Sequence, residues 1–347
     1  HVMSAEAGIK QSANTDLDIA IVGLGPAGMA AAHRFHETSV NKSIACFDMG
    51  PRPEKRSCPV LHGAGCLRRE LCQVLTGFGG SSLLSGGKLS TLPAGDSLIE
   101  ITDNPEDVEE AISDSLDWFS QFLEVKRTEV SDEEIEEAKN YFSQYGLNFD
   151  YYDSHLITSS EEEIIQGYSE MLEYLEDSET EFHFNSPVKN ISDTENGYRL
   201  SIADCDQEIH TDSVILGVGI PGRELLDVLD TELNLQTKES KLELGVRLEF
   251  PTKLFPDIDS VHNDLKLHHG NCRTFCVCKG GQLAPYFHDG ISILDGHVNR
   301  MDRTQLTNLG LRLRVSPDEG NGALYELIRS NYLEATGGIP LRQSYQS

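Results

Sequence analysis

The hydrophobic positions at the start of the chain predict a β-α-β unit. Short apolar runs indicate buried strands at residues 17–22 and 43–47, and the segment between them predicts a helix over 26–37 with Pro26 in its first turn. A strand, a helix and a second strand within about thirty residues are the smallest unit of a parallel sheet. The pattern therefore predicts an α/β fold with a parallel-sheet, Rossmann-like domain.

Amphipathic helices are predicted in the acidic middle of the chain. Segments that begin near Asn104, Ser131 and Ser160 each repeat apolar residues at helical spacing, while carboxylates occupy many of the other positions. Ser131 and Glu134 match a capping box, in which each side chain bonds to the backbone N–H of the other residue. We interpret residues 101–181 as an acidic helical insertion whose apolar faces pack on a core.

Short apolar runs after residue 181 predict strands again. They lie at 182–184, 188–191, 198–202, 213–217, 242–250, 274–277 and 291–294. We assign residues 16–100 and 182–224 to the Rossmann-like domain and residues 225–347 to a β-rich domain. The polar residues 1–15 are expected to form a disordered N-terminus.

The composition excludes several classes of protein. The 347 residues suffice for two domains with buried cores, and no apolar run is long enough to span a membrane. The net charge is −29, of which residues 103–182 contribute −22, and such acidity disfavours nucleic acid as a partner. No signal-peptide pattern is present, and the eight cysteines are expected to be thiols. These features predict a soluble, cytoplasmic protein.

The strongest chemical signal is the glycine spacing between the first strand and the first helix. Gly23, Gly25 and Gly28 form a G-x-G-x-x-G pattern, and Asp48 follows 20 residues later at the end of the second strand. The glycines allow a tight turn, a close approach of the backbone to a pyrophosphate, and close packing of helix on sheet. The helix N-terminus faces phosphate charge, and the carboxylate accepts hydrogen bonds from ribose hydroxyls. We predict that a dinucleotide binds here.

A second glycine- and serine-rich run favours FAD over NAD. Residues 77–90 offer backbone N–H groups, hydroxyls and the Lys88 ammonium to a ligand. A flavin needs such a second clamp because its ring and ribityl chain must be held permanently. The two leucines at 83–84 argue against a merely flexible linker.

Several runs along the chain carry a family resemblance. They are residues 23–28, Asp48, the run G-G-S-S-L-L-S-G-G-K-L at 79–89, L-G-V-R-L-E-F at 244–250, R-T-F-C-V-C-K-G-G at 273–281 and G-G-I-P-L at 337–341. Together they resemble the FAD-dependent dehydrogenase family of the glutathione-reductase-like flavoprotein superfamily. The glycine pattern is general to that superfamily, whereas the R-T-F-C-x-C-x-G-G and G-G-K-L runs are specific to the family. The resemblance spans nearly the whole chain.

The resemblance implies an FAD-binding domain in two segments, interrupted by an insertion, and a β-rich substrate domain. It implies that Val188 lies near the adenine and that residues 213–219 return to FAD, although this run lacks the usual Ala-Thr-Gly ending. Relatives continue with a segment that closes over the flavin. We expect that this chain is a fragment, that a partner chain supplies the segment, or that the flavin occupies a half-open cleft; the fragment is the simplest interpretation.

The cofactor-binding residues follow from the glycine-rich runs and from the resemblance. They are Gly23, Gly25, Pro26, Ala27, Gly28, Asp48, Met49, Arg56, Gly79, Gly80, Ser81, Ser82, Lys88, Leu89, Val188, Gly217 and Gly219.

Catalytic residues are not identified by the sequence, and the weak candidates are Cys276, Cys278 and Lys88. On a regular strand the two cysteines project to one face. A redox role needs a depressed thiol pKa, and the C-x-C spacing, even with Cys272, fits zinc poorly. We therefore interpret them as buried thiols and expect no metal. A second loose group is spaced no better for a metal: Cys58, Cys66 and Cys72.

We predict an FAD-dependent oxidoreductase, a dehydrogenase that passes hydride or electrons from an unidentified small molecule to the flavin. Two alternatives stay open. An NAD-dependent reductase uses the same glycine pattern and is colourless when purified. A non-enzymatic nucleotide-binding or assembly subunit, completed by a partner chain, forms a stoichiometric complex and shows no turnover.

Overall fold

The computed structural model has the predicted α/β fold with a parallel sheet. It describes residues 16–38, 41–84, 87–92, 98–102, 104–127, 130–151, 154–235, 242–254, 266–297, 304–315, 321–341 and 343–344. The prediction for residues 1–15 lies outside these ranges.

Helices and strands are numbered in chain order. The helices are α1 (Pro26–Glu37), α2 (Gly80–Leu84), α3 (Ile99–Thr102), α4 (Pro105–Phe122), α5 (Asp132–Ser143), α6 (Glu161–Glu176), α7 (Arg223–Leu233) and α8 (Asn321–Thr336). The strands are β1 (Asp16–Val22), β2 (Ile44–Phe47), β3 (Lys88–Ser90), β4 (Val125–Arg127), β5 (Asn148–Asp150), β6 (Ser154–Ile157), β7 (Glu181–His183), β8 (Val188–Thr194), β9 (Gly197–Ile202), β10 (Ile209–Leu216), β11 (Leu242–Pro251), β12 (Lys266–His269), β13 (Cys272–Lys279), β14 (Gln282–His288), β15 (Ile291–His297) and β16 (Leu306–Val315).

The described chain forms two compact units. The first comprises the described parts of His1–Cys58, Leu71–Leu84 and Glu161–Thr237, and the second those of Pro59–Glu70, Ser85–Ser160 and Lys238–Ser347. This grouping differs from the predicted domains. Residues 161–181 belong with the first unit instead of with an acidic insertion, and the first unit continues beyond residue 224 through α7.

A mixed sheet forms the centre of the first unit. Its order among the described strands is β7-β2-β1-β10-β9-β8. Strands β7, β2, β1 and β10 are parallel, and β9 and β8 extend the sheet as an antiparallel pair. Every residue of β2 is buried, as expected of a parallel strand covered on both faces. The predicted β-α-β unit is therefore confirmed.

Helix α6 belongs to the core of the first unit because its apolar stripe is completely enclosed. Tyr168, Met171 and Leu172 have no exposed surface, and the helix packs against α1 and α2. Its carboxylates lie on the opposite, solvent-exposed face, as in Glu173. The acidic composition of α6 led to its assignment to the insertion. Its buried apolar face instead packs in the core of the first unit.

The second unit combines the other acidic helices with the β-rich segment. Its largest sheet has the antiparallel order β11-β16-β13-β12-β5, so β5 from the acidic region pairs with β12 from the β-rich region. Ala138 and Phe142 of α5 share one core with Phe149 of β5 and Val277 of β13. Smaller sheets pair β14 with β15 and join β3, β6 and β4. Residues 101–160 are therefore not separate from the β-rich part.

The acidic helices begin as their sequences predict. The Asn104 side chain accepts a hydrogen bond from the Glu106 N–H at the start of α4. Both bonds of the capping box between Ser131 and Glu134 are present at α5. Among the helices that the structure describes, none combines the length and the apolar character that crossing a bilayer requires.

Shortening a buried side chain of α6 tests its place in the core. Leu172→Ala is expected to lower the free energy of unfolding by about 2–5 kcal/mol, because it leaves a cavity in an enclosed site. The control Glu173→Ala, one residue away on the exposed face, is expected to change it by less than about 0.5 kcal/mol. Denaturant unfolding measures both. Equal effects of the two substitutions would contradict the burial of α6.

Candidate functional site

A cleft of about 580 Å³ opens at the carboxyl ends of β1, β2 and β10 in the first unit. Because β1 lies between β2 and β10, this is a point where the chain connections diverge to the two sides of the sheet, and ligands bind at such points. Many predicted cofactor residues line the cleft. They are Gly23, Gly25, Pro26, Ala27, Asp48, Met49, Gly80, Ser81, Val188, Gly217 and Gly219. Their contact with a cofactor stays a prediction.

Packing inside the protein accounts for two of the three fingerprint glycines. Gly23 has a φ of +91°, and a Cβ there would lie 2.5 Å from the Gly217 carbonyl oxygen. A Cβ on Gly28 would overlap the Gly23 carbonyl oxygen, so the helix can approach the strand only without a side chain. Gly25 has a φ of −70°, which any residue adopts, and a Cβ there would meet Gly80 Cα only at 3.8 Å. The space beside Gly25 therefore belongs to the cleft.

The N-terminus of α1 meets the cleft without a capping side chain. Gly25 is the N-cap residue and forms no side-chain cap bond, and its neighbours Pro26 and Ala27 line the cleft. The first N–H groups of a helix lack partners within the helix and carry partial positive charge, which suits an anion. Among the described lining residues, only Asp48 has a charged side chain. A phosphate here would therefore depend on backbone N–H groups.

Asp48 is buried and joins three backbone segments. Its Oδ2 accepts a hydrogen bond from the Leu24 N–H at 2.7 Å, and its Oδ1 accepts bonds from the Gly50 and Gly77 N–H groups, both at 2.8 Å. Burial raises the pKa of the Asp48 carboxyl, and the three donors and the Arg56 charge limit that rise. Since a carboxylate has about four acceptor positions, about one is left for the predicted ribose contact.

Arg56 fixes the loop behind Asp48 and does not line the cleft. Its guanidinium donates to the carbonyl oxygens of Gln73, Val74 and Phe78, with the shortest bond, from Nη1 to Phe78, at 2.6 Å. The side chain is almost wholly buried, and burial lowers its pKa to about 10. Arg56 thus stabilises the loop at residues 73–78 and is not among the residues that line the cleft.

Two further predicted residues, Gly79 and Ser82, contact α6. The Ser82 hydroxyl donates to the Gly79 carbonyl at 2.6 Å and shares a hydrogen bond with the Tyr168 hydroxyl at 2.8 Å. A Cβ on Gly79 would lie 2.8 Å from the Tyr168 ring, so the enclosed tyrosine sits against a glycine backbone. Burial raises the pKa of Tyr168 to about 12, which keeps its hydroxyl protonated. These contacts support the loop that carries Gly80 and Ser81.

Lys88 and Leu89 lie in the second unit, and the lining of the cleft does not include them. The Lys88 ammonium donates to the Val277 carbonyl at 3.0 Å. Leu89 lines a separate, mainly apolar cavity of about 450 Å³ beside α4.

The candidate cysteines lie at an irregularity of β13. The register of β13 against β16 shifts between Phe275 and Cys278, and Cys276 has a φ of +45°. This bulge interrupts the alternation that would place Cys276 and Cys278 on one face, so that expectation does not hold. Nη2 of Arg247 donates to the Cys276 carbonyl at 2.7 Å and lies 3.8 Å from the Cys278 sulfur. In the described chain no group of three or more His, Cys, Asp or Glu residues could hold a metal ion.

Sequence reasoning missed the contribution of α7 to the cleft. Leu225 and Leu226 of this helix line the cleft, together with Ile220 in the turn before it. Leu225 and Leu229 also belong to the core of the first unit. The signal was present, because Leu225, Leu229 and Leu233 recur at helical spacing directly after Gly222.

Comparison with known proteins identifies the family. Residues 75–251 match the family model described as flavin containing amine oxidoreductase, which covers half of the chain. The chain belongs to this family. It is an FAD-dependent oxidoreductase that acts on a small molecule. This match settles the choice between flavin and nicotinamide in favour of FAD, and the enzymatic prediction is confirmed.

Solved structures with a similar fold share little sequence with this flavoenzyme. They include an L-amino acid deaminase from Proteus vulgaris (11% identity, 93% of this chain, 76% of the other, TM-score 0.38) and the glycine oxidases from Geobacillus kaustophilus (12%, 96%, 86%, 0.36) and Bacillus cereus ATCC 14579 (11%, 91%, 79%, 0.38). No curated protein matches the chain significantly.

The residues of the cleft fit FAD. Beside Gly25 the cleft is open, because a Cβ there would meet the nearest protein atom only at 3.8 Å. The N-terminus of α1, which has no side-chain cap, offers N–H groups to a pyrophosphate. Apolar side chains such as Val188 and Leu225 line the same cleft and can cover ring surface. The flavoenzyme therefore has both parts that a dinucleotide cofactor needs, an anion site and apolar walls.

The contrast between Gly25 and Gly28 gives a test. Gly25→Ala is expected to weaken FAD binding by at least about tenfold, because its methyl group occupies the cleft. The stability of the apoprotein should change by less than about 1 kcal/mol, because the lower entropy of the unfolded chain offsets the poorer N-cap that alanine makes. Gly28→Ala should instead lower stability by about 2 kcal/mol or more. FAD titration and denaturant unfolding measure the two effects; wild-type FAD affinity in Gly25→Ala would contradict this assignment.

Replacing the Asp48 carboxylate tests its role as acceptor. In Asp48→Asn the amide has one acceptor oxygen and places an NH₂ group against backbone N–H donors. We expect the free energy of unfolding to fall by about 1–3 kcal/mol and FAD affinity to fall with it. The exposed Asp212→Asn on β10 is the control, with a change below about 0.5 kcal/mol. If both variants unfold alike, the three hydrogen bonds contribute nothing measurable.

Proposed function

We propose that this flavoenzyme oxidises a small amine or amino acid, with FAD held in the cleft of the first unit. The observation that carries the substrate class is the match over residues 75–251 to a family of amine oxidoreductases. When bound, FAD supplies the acceptor for the hydride of the substrate C–H bond, which carries both electrons of the oxidation.

The proposed cofactor contacts follow the chemistry of the lining. The turn at Gly23, Gly25 and Gly28 and the first N–H groups of α1 bind the pyrophosphate, and Asp48 accepts a ribose hydroxyl with its remaining lone pair. Since no Lys or Arg is among the described lining residues, helix dipole and backbone N–H groups balance the phosphate charge. Gly80, Ser81 and Gly217 supply further backbone from neighbouring segments.

We further infer that, among flavin-dependent enzymes, this chain is an FAD-dependent dehydrogenase of the glutathione-reductase-like superfamily. The G-G-K-L run at 86–89 and the R-T-F-C-x-C run at 273–278 support this finer assignment. A contact joins the two runs, because the Lys88 ammonium binds the Val277 carbonyl in the second unit. On this proposal the reduced enzyme passes its electrons to an acceptor other than dioxygen.

Anaerobic reduction of the bound flavin tests the amine substrate. The FAD-loaded protein is mixed with alanine, glycine or benzylamine, and the visible flavin absorbance is followed. We expect at least one amine to bleach the flavin, because oxidation of the amine delivers two electrons to it. Lactate, which replaces the amino group of alanine by a hydroxyl, is the matched control and should leave the spectrum unchanged.

Reduction of the flavin by other electron donors would contradict the proposed substrate class. Bleaching by lactate, NADH or NADPH with none by any amine would overturn the proposed substrate class while leaving FAD binding intact. Reoxidation separates the finer assignment: fast return of the spectrum with an acceptor dye and slow return with air support a dehydrogenase, and the reverse contradicts it.

A further inference from the structure

A small polar cavity lies in the second unit, on the face of the β12–β13 hairpin. Its volume is about 270 Å³, and its walls include Lys266, His268, Arg273, Arg314 and Asp150. All of these residues come from β5, β12, β13 and β16, neighbouring strands of one antiparallel sheet. The cavity therefore rests on regular structure, and three permanent cations surround it.

Strand register places Arg273 between two other basic side chains. In the antiparallel ladders Arg273 is directly opposite His268 on β12 and directly opposite Arg312 on β16. Like charges in directly opposite positions destabilise a sheet. The opposed pair Arg273–Arg312 is therefore costly unless negative charge lies between or beside the two guanidinium groups.

The carboxylates nearby are already committed to other groups. Glu243 pairs with both Arg312 and Arg314, with its Oε1 2.9 Å from Nη2 of Arg314. Asp150 pairs with His268, with 2.9 Å between Oδ2 and Nδ1. The Arg273 guanidinium has no ion pair or hydrogen bond to any described residue. Arg273 is thus a half-buried cation on a cavity wall with no negative partner among the described residues.

Arg312 shows how crowded the positive charge is. Its guanidinium lies 3.5 Å from the centre of the Phe275 ring, and its buried Nε has no hydrogen-bond acceptor among the described residues. Burial lowers the pKa of Arg312, the charges of Arg273 and Arg314 lower it further, and Glu243 opposes the change. Even with one carboxylate beside it, this face of the sheet has an excess of positive charge.

The basic face contrasts with the rest of the chain. The chain has 28 Lys and Arg residues and 57 Asp and Glu residues. Carboxylates are therefore abundant, and yet none of those described pairs with Arg273. An arginine without a partner offers a planar fork of N–H donors that matches a carboxylate or a phosphate.

We propose that this cavity binds a small organic dianion, a dicarboxylate or a phosphate ester, with Arg273 as its main contact and Lys266 and Arg314 beside it. The volume suits a ligand of this size and is too small for a dinucleotide. The bound anion offsets the repulsion between Arg273 and Arg312. The site is distinct from the cleft that holds FAD, and the proposal does not depend on the amine substrate.

The test is binding of two defined probes to the FAD-loaded protein at constant ionic strength. Succinate represents the dicarboxylates and inorganic phosphate the phosphate group, with chloride as the control salt. We expect saturable binding of at least one probe by calorimetry and a rise in melting temperature. If only succinate binds, the site prefers dicarboxylates; if only phosphate binds, it prefers phosphate esters.

Variants of Arg273 assign the contact. Arg273→Gln should weaken binding at least about tenfold, and Arg273→Lys should bind with intermediate affinity because it keeps the charge but loses the fork. Arg199→Gln, an exposed arginine on β9, is the matched control and should bind as the wild type does. Without added anion and at low salt, Arg273→Gln should melt at the wild-type temperature or higher, because it removes a like-charge contact.

Three results would overturn the proposal. The first is that neither probe binds in a saturable manner. The second is that Arg273→Gln binds as tightly as the wild type. The third is that Arg273→Gln melts at a clearly lower temperature without any anion, which would make Arg273 a structural residue.

Discussion

The carboxylate of Asp48 links the parts of the first unit that must keep a fixed geometry. It accepts N–H bonds from Leu24 in the glycine turn, from Gly50 after β2 and from Gly77 before α2. A buried carboxylate is costly unless its lone pairs are satisfied, so the three segments are held where their N–H groups can reach it. Arg56 completes the arrangement by binding the carbonyls of the loop at 73–78. Hydrogen bonds within the protein thus fix the segments that form this side of the cleft.

Charge in the cleft follows from the same arrangement. The one ionisable side chain among the described lining residues is negative, yet the proposed cofactor carries negative phosphates. The backbone N–H groups that surround Asp48 screen its charge, and the uncapped start of α1 directs a positive dipole into the cleft. Glycine is necessary for this solution, because only a backbone without a side chain lets an anion approach the N–H groups closely.

Local patterns predicted individual helices and strands well, and long-range contacts account for what they missed. The strands at 17–22 and 43–47, the helix between them and the capping box at Ser131 depend on neighbours in sequence. The pairing of β5 with β12 joins residues more than a hundred positions apart, and no local pattern indicates it. Likewise the acidic surface of α6 was evident, whereas the contact of Tyr168 with Ser82 requires the folded chain.

In the second unit, the sequence runs that contain Lys88 and Arg247 bind the backbone at the bulge of β13. Lys88 binds the Val277 carbonyl, and Arg247 binds the Cys276 carbonyl at the bulge of β13. Cys276 adopts a left-handed conformation that costs free energy for a residue with a side chain. Two cations that bind adjacent carbonyls offset this cost, and they explain why lysine and arginine occupy these positions. Arg247 also pairs with Asp295, whereas Arg273 has no partner among the described residues and is the cation that we propose for an external anion.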